Sequence, residues 1–469
     1  MRKLCSLVVL AALLLSSLAA CAPAPTPAPT DEPAGQTEPQ SPTEPAAVEE
    51  PTAAAEVVEP TAADDAASLA GQEIEIIGAW GGLEQEALMK VLKPFEEQTG
   101  VKFVYTGTRD VSLVLSRAQS GNPPDFYISP LPSVTTELAK KGILVALDSF
   151  MDMDALNQAY ATDWLGLGSS EGHLYGIFGP VSIKSLVWYN PKVFAEKGYT
   201  IPTTWDEMLA LTDQIAADGS TPWSIAMGSG DATGWVGTDW VEDIMLRTVG
   251  GEVYDQWVNH EIPWTDPRVK SAWETFGKIG LNEAYLFGGT SGELSVDFGD
   301  GADALYTDPA NAYMHRQALF EYDYIRKHFP ELKPGEDIDF FMLPPIDEQF
   351  GTPALSAGEM LIMFNDTPAN RAFMNYWAGV DAQTEIAVAF GRLSANSQIP
   401  AEVYTDPLLG KAAELLANAD AVRFDGSDLM PSAIGAGAFW KGMVDYVSGK
   451  DLDTVLQTIE DASLDAYKK

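Results

Sequence analysis

Chemistry in this chain has to come from tryptophans, carboxylates and a few isolated cations, because the usual catalytic groups are sparse. The four histidines, His173, His260, His315 and His328, are widely spaced and form no HExxH pattern, which argues against a zinc site. Cys5 and Cys21 are the only cysteines, both near the start, so the rest of the chain has no thiol nucleophile. There is no GxSxG elbow, and neither a P-loop nor a GxGxxG fingerprint follows an expected strand. The run Asp297-Phe298-Gly299-Asp300-Gly301 lacks the spacing and closing glutamate of a calcium loop. With 68 Asp and Glu, a glycosidase-like carboxylate pair arises by chance, so spacing neither supports nor excludes one. Twelve tryptophans are the stronger signal, above all in GSGDATGWVGTDWVED (228–243), where Trp235 and Trp240 sit among turn residues and acids. Aromatic rings beside carboxylates, Arg or Lys suit a sugar, whose C–H face stacks on a ring while its hydroxyls both donate and accept.

The elements that must position these groups read as α/β. EIEIIGAW, VKFVYTG and DFYISP are expected strands, each followed by a segment with helical spacing: LEQEALMKVLKPFEEQTG, DVSLVLSRAQSG and SVTTELAKKG. Three strand–helix units imply a parallel sheet with ligand loops at the carboxyl ends of its strands. SLVWYN and WSIAM are further expected strands, and Thr204-Trp205-Asp206-Glu207 is a capping box opening DEMLALTDQIAADG. Trp235 falls where WSIAM gives way to a helix, an edge with free backbone N–H groups. The last third is mainly helical, interrupted by the expected strands ADALYTD and PALSAGEMLIMF. Trp205 and Trp377, on helices with apolar neighbours, are assigned to the core.

Length and charge set the outer limits. A chain of 469 residues exceeds one ordinary core, and two lobes are expected. Arg2 and Lys3 followed by LVVLAALLLSSL have the order of a secretory signal, not of a membrane span. Leu18-Ala19-Ala20-Cys21 resembles a bacterial lipobox, which makes residues 1–20 a lipoprotein signal and Cys21 the lipidated residue; a plain cleavage site beside a cysteine is the alternative. Residues 21–71 have almost no large apolar side chains and read as a disordered Pro/Thr/Glu-rich tether. Without that leader the chain keeps 26 Lys and Arg against 58 Asp and Glu. Such a field repels nucleic acid and anionic lipid, leaving a lipid anchor as the expected link to a membrane.

Several motifs then occur in a familiar order: FEEQTGVKF, GNPPDFYIS, SLVWYNPKVFAEKGY, PTTWDEML, FGDGADALYTDPA and AFWKGMVDYVSGK. With these, residues 72–469 resemble the extracellular solute-binding proteins (family 1, maltose-binding type) of carbohydrate ABC importers. The run TGWVGTDWVEDIMLRTVGGEVYDQWVNHEIPW is most similar to the alpha-glucoside-binding branch. The resemblance implies a two-lobed α/β fold of the periplasmic-binding-protein type (type II), with a ligand cleft between lobes joined by three crossings. Lobe one is expected at 72–180 and 309–361, lobe two at 181–308 and 362–469. It further implies an exported, lipid-anchored monomer on the outer face of the cell membrane. That monomer would capture an oligosaccharide, deliver it to the permease subunits, need no cofactor and catalyse no reaction. A sugar sensor of the same fold and a secreted glycan-active enzyme are the alternatives. Carried onto this chain, the family's cleft positions fall on Trp80, Glu84, Arg109, Lys184, Asp308, Glu359, Arg423 and Trp440. They add the loop 228–234 with Asp231, Thr233 and Trp235. Asp239 shares the helix face of Trp235 at i+4, whereas Trp240 is rotated by about 140° and is expected in the core.

Overall fold

The alternation in Glu73–Gly78 places Ile74 and Ile76 in a fully buried row and leaves Glu75 to a bidentate pair with Arg117 at 2.6 and 2.7 Å. This strand opens a computed structural model that describes residues 69–468 apart from Arg109; the signal, Cys21 and the tether lie outside the described residues. Glu73–Gly78 pairs in parallel with Lys102–Gly107 and with Phe126–Ser129, as the three strand–helix units require. The intervening helices end as their sequences dictate. Gly82–Thr99 stops at Gly100 in the left-handed region (φ 74°), and Val111–Gln119 starts on Asp110, whose carboxylate accepts from the Ser112 and Leu113 N–H groups.

The sheet then changes direction. Ala354–Met363 runs antiparallel to both Phe126–Ser129 and Gly176–Ile183, Leu393–Ser394 closes one edge, and Val422–Phe424 joins the start of Ala354–Met363 in parallel. The register of Ala354–Met363 slips between Gly358 and Met360. A bulge of this kind re-aims one side chain, and here that residue is Glu359.

A second, three-stranded antiparallel sheet has Leu186–Tyr189 between His315–Arg316 and Asp339–Met342. Its period of two divides the apolar residues between two cores. Leu186, Trp188 and Phe340 belong to a core built on the large sheet, while Val187, Tyr189 and Phe341 belong to a core built on helices that include Trp205–Ala217, Trp235–Val258 and Pro267–Gly280. The small sheet is thus a wall with one face in each core. In the second core Phe439 is ringed by Trp257, Trp264 and Trp273 at 5.6, 4.7 and 5.7 Å between ring centroids. Trp205 and Trp377 are buried, as expected.

Four readings differ from the structure. ADALYTD is a helical turn, Asp303–Tyr306, and WSIAM makes only isolated parallel bridges from Trp223 to Leu286 and Met314. A short apolar run carries too little periodicity to separate strand from helix. The capping box is displaced: Thr204 accepts from the Glu207 N–H, but the Glu207 carboxylate reaches back to Thr203. Residues 362–424 also do not follow the expected lobe boundary. Phe373, Trp377, Phe390 and Leu408 pack into the first core, and the chain joins the second again at Met430.

Candidate functional site

Where the large sheet meets the second core lies a cavity of about 930 Å³, counting its open mouth. The carboxyl ends of the first-core strands supply one side: Ala79 and Trp80 follow Glu73–Gly78, Pro130 and Leu131 follow Phe126–Ser129, and Ser182 and Lys184 end Gly176–Ile183. The bulge contributes Glu359, and the turn after Val422–Phe424 contributes Asp425, Ser427 and Asp428. Trp235, Phe298, Phe320 and Trp440 form the aromatic walls.

Trp235 opens its helix, half-buried, with its ring 5.3 Å from Phe298 and 5.9 Å from Phe320. Before it, Gly234 adopts φ 116°, and a Cβ there would lie 2.3 Å from the Trp440 carbonyl oxygen. Only glycine lets the two tryptophan-bearing segments touch. Trp240 is fully buried against Trp223 at 5.3 Å, inside the core.

Two buried cations organise the acids. Lys184 Nζ donates to Asp239 at 2.9 Å and also to Asp425, and stands 5.1 Å from the centre of the Trp235 ring. Burial alone would lower the Lys184 pKa, but Asp239 and Asp425 outweigh it and hold the ammonium charged. Burial likewise pushes Asp239 up to about 7 against the pull of Lys184, whereas Asp425 ends below the usual carboxylate range because Lys184, Ser427 and the Asp428 N–H overcome its burial. Glu242 accepts from the Gly426 and Ser427 N–H groups, yet burial and the nearby Asp425 and Asp239 charges raise its pKa well above normal. Asp239, Glu242 and Asp425 bring one oxygen each within 4.8 Å of one another, and the Lys184 ammonium supplies positive charge at that point.

The second cation is Arg392, 1% exposed, which donates to Glu84 at 2.5 Å and lies 3.7 Å from Glu359. Burial disfavours its charge, but Glu84 and Glu359 more than compensate. Glu359 and Asp428, both at the cavity surface, are raised chiefly by burial. Their carboxyl oxygens offer acceptors to hydroxyls.

The structure therefore brings together Trp80, Glu84, Lys184, Trp235, Glu359 and Trp440 in one cavity wall. Of the other expected residues, those that are described do not line it. Asp239 is fully buried behind Lys184. Asp231 is exposed, and Thr233 turns into its own loop, donating to Gly230 O at 2.7 Å and accepting from the Ser229 N–H at 3.0 Å. Asp308 is exposed ahead of the cis bond to Pro309. Arg423 points away from the cavity to a pair with Asp255 at 2.8 and 3.0 Å. Arg109 lies outside the described residues. Sequence reading missed Asp425, Asp428 and Arg392. The first two sit two and five residues after Arg423, so the turn that follows it was the available signal; Arg392 carried none.

A mixed α/β chain with aromatic walls and buried acids gathered on Lys184 and Arg392 around one cavity suits the binding of a small polar solute. The chain belongs to the bacterial extracellular solute-binding proteins, whose family pattern matches residues 81–384. It is 44% identical over 391 residues to the osmoprotective compounds-binding protein GgtB of Synechocystis sp., covering 83% of this chain and 92% of that one. To the alpha-glucosides-binding periplasmic protein AglE of Rhizobium meliloti it is 42% identical over 405 residues, covering 84% and 87%. Among solved structures, the solute receptor AcbH, described as having a preference for β-D-galactopyranose, superimposes with a TM-score of 0.73 at 20% identity, over 85% of this chain and all of that one. A maltotriose-bound maltose/maltodextrin-binding domain from Bdellovibrio bacteriovorus gives 0.64 at 16% identity, over 84% and 99%. These structures share the fold of maltose-binding-like periplasmic binding proteins.

Proposed function

We propose that this protein is the receptor of an ABC importer that captures an alpha-glucoside in the cavity between its two cores and delivers it to a membrane permease without breaking a bond. The observation that carries this reading is the placement of Trp235 and Trp440 on one cavity with Glu84, Glu359 and Asp428. The rings offer stacking faces to a pyranose and the acids meet its hydroxyl rim. Of the two relatives, the one named for alpha-glucosides supports this ligand class, and the one named for osmoprotective compounds supports a small polar solute. In this reading the two cores are lobes that close over the sugar by a hinge at the small sheet. Cys21 carries the lipid that holds the receptor at the outer face of the membrane.

The test is titration of intrinsic tryptophan fluorescence with maltose, trehalose, sucrose, longer alpha-glucans and a beta-linked disaccharide. A saturable change with alpha-glucosides alone, weakened roughly five- to tenfold in Trp235→Ala, is the expected outcome, since a stacked ring contributes on the order of 1–1.5 kcal/mol. A folded protein that answers to none of these sugars rejects the alpha-glucoside reading.

A further inference from the structure

The wall that carries Trp440 begins with a helix start that has no cap of its own. Ser432 precedes a π turn, Ala433–Phe439, which runs on into the helix Trp440–Val447, and the Ser432 side chain caps none of its N–H groups. Instead, one carboxylate oxygen of Glu137 accepts both the Ser432 N–H at 3.0 Å and the Ser432 hydroxyl at 2.9 Å. Glu137 belongs to the helix Pro132–Lys140, whose Val134 and Leu138 are in the first core, whereas Met430 and Ile434 on either side of Ser432 are in the second. The carboxylate therefore crosses from one core to the other and meets a helix start, where negative charge is favoured and orphan N–H groups need acceptors.

The turn is also held at its far end and in its middle. At its far end Phe439 is locked among three tryptophans, and in its middle Gly435 approaches the Ser427 carbonyl so closely that a Cβ would lie 1.8 Å from that oxygen. The only attachment the turn draws from the first core through a charged side chain, among the described hydrogen bonds, is Glu137. Its helix follows directly on Pro130 and Leu131, which line the same cavity as Trp440.

We propose that Glu137 is a positioning residue for the binding site: it caps the Trp440 segment from the opposite core and so holds that wall against the first core when the cavity is occupied. This rests on the sugar-receptor reading only for the ligand, because the cap itself is a property of the fold. Two measurements on the whole chain decide it, using Glu137→Ala and Glu137→Gln, whose amide oxygen can still accept. Amide hydrogen exchange over residues 432–437 is expected to speed up in Glu137→Ala and to recover in part in Glu137→Gln. Release of trehalose, followed by stopped-flow tryptophan fluorescence, is expected to be roughly tenfold faster or more in Glu137→Ala, which removes the acceptor of both Ser432 hydrogen bonds. Unchanged exchange overturns the proposal. Faster exchange with an unchanged release rate also overturns it, reducing the contact to local capping. If the wild type answers to none of the alpha-glucosides, that reading fails by itself, and exchange over residues 432–437 still decides whether Glu137 holds the wall.

Discussion

At the residue scale the binding cavity depends on how its acids share protons. Asp239, Glu242 and Asp425 are buried around the Lys184 ammonium, with the buried Arg316 guanidinium 3.7 Å from Asp239, so they titrate together. Asp239 sits at about 7 in the folded protein against an ordinary 3.8, and Glu242 is also raised. Between these values the folded state binds protons that the unfolded chain has released, so this cluster's contribution to stability is full below about pH 4 and is lost as pH rises through about 7. Asp425, depressed by Lys184, works in the opposite sense and loses its contribution only as the solution turns acid. Urea midpoints taken across that window are expected to fall as pH rises, and to fall less steeply in Glu242→Gln, which removes one of the proton-binding groups while keeping an oxygen for the Gly426 or Ser427 N–H. Parallel slopes for the two proteins would show that the cluster is not the source. Lys184 and Trp235 were legible from sequence because each sits beside a recognisable strand or helix end. Arg392 was not: its partner Glu84 is 308 residues away, and a single arginine after a helix-ending glycine looks like any surface cation.

At the element scale, close backbone approach decides which segments can form the wall. Gly234 combines a left-handed φ with the carbonyl of Trp440 pressed where a side chain would begin. Gly234→Ala must either strain the backbone or push the Trp440 segment away, at a cost of about 1 kcal/mol or more. The expected result is a loss of sugar affinity of tenfold or more with near-normal far-ultraviolet circular dichroism, and an alanine variant that binds as well as the wild type would remove the contact from the account. The elements themselves were readable where length and spacing agreed. The three opening strand–helix units follow the sequence pattern, and so do the helices Pro368–Ala378, Pro407–Ala417 and Leu452–Ala466. What could not be read was the destination of a correctly assigned element. Arg423 lies in the strand Val422–Phe424 and its guanidinium pairs with Asp255, while Asp425 and Asp428 in the turn beyond line the cavity.

At the scale of the whole molecule, the shared small sheet determines how the two cores depend on each other. Leu186–Tyr189 sends Trp188 into one core and Val187 and Tyr189 into the other, so neither core can lose this strand without exposing apolar surface of both. A boundary drawn along the sequence cannot express that, because the division runs through alternate side chains of a single strand. Residues 362–424 likewise return to the first core, where Phe373, Trp377, Phe390 and Leu408 join the cluster that holds Leu361 and Met363 of Ala354–Met363. If the cores are coupled in this way, unfolding is cooperative across both. Equilibrium urea curves followed by tryptophan fluorescence and by far-ultraviolet circular dichroism are expected to coincide, since buried tryptophans occur on both sides, Trp80 and Trp377 in the first core and Trp240 and Trp257 in the second. Val187→Ala removes two methyl groups from a fully buried site and is expected to cost roughly 1–3 kcal/mol, moving both curves together. Two separated transitions, with only one shifted by Val187→Ala, would mean that the second core folds independently and that the sheet is a hinge surface rather than a structural bond between them.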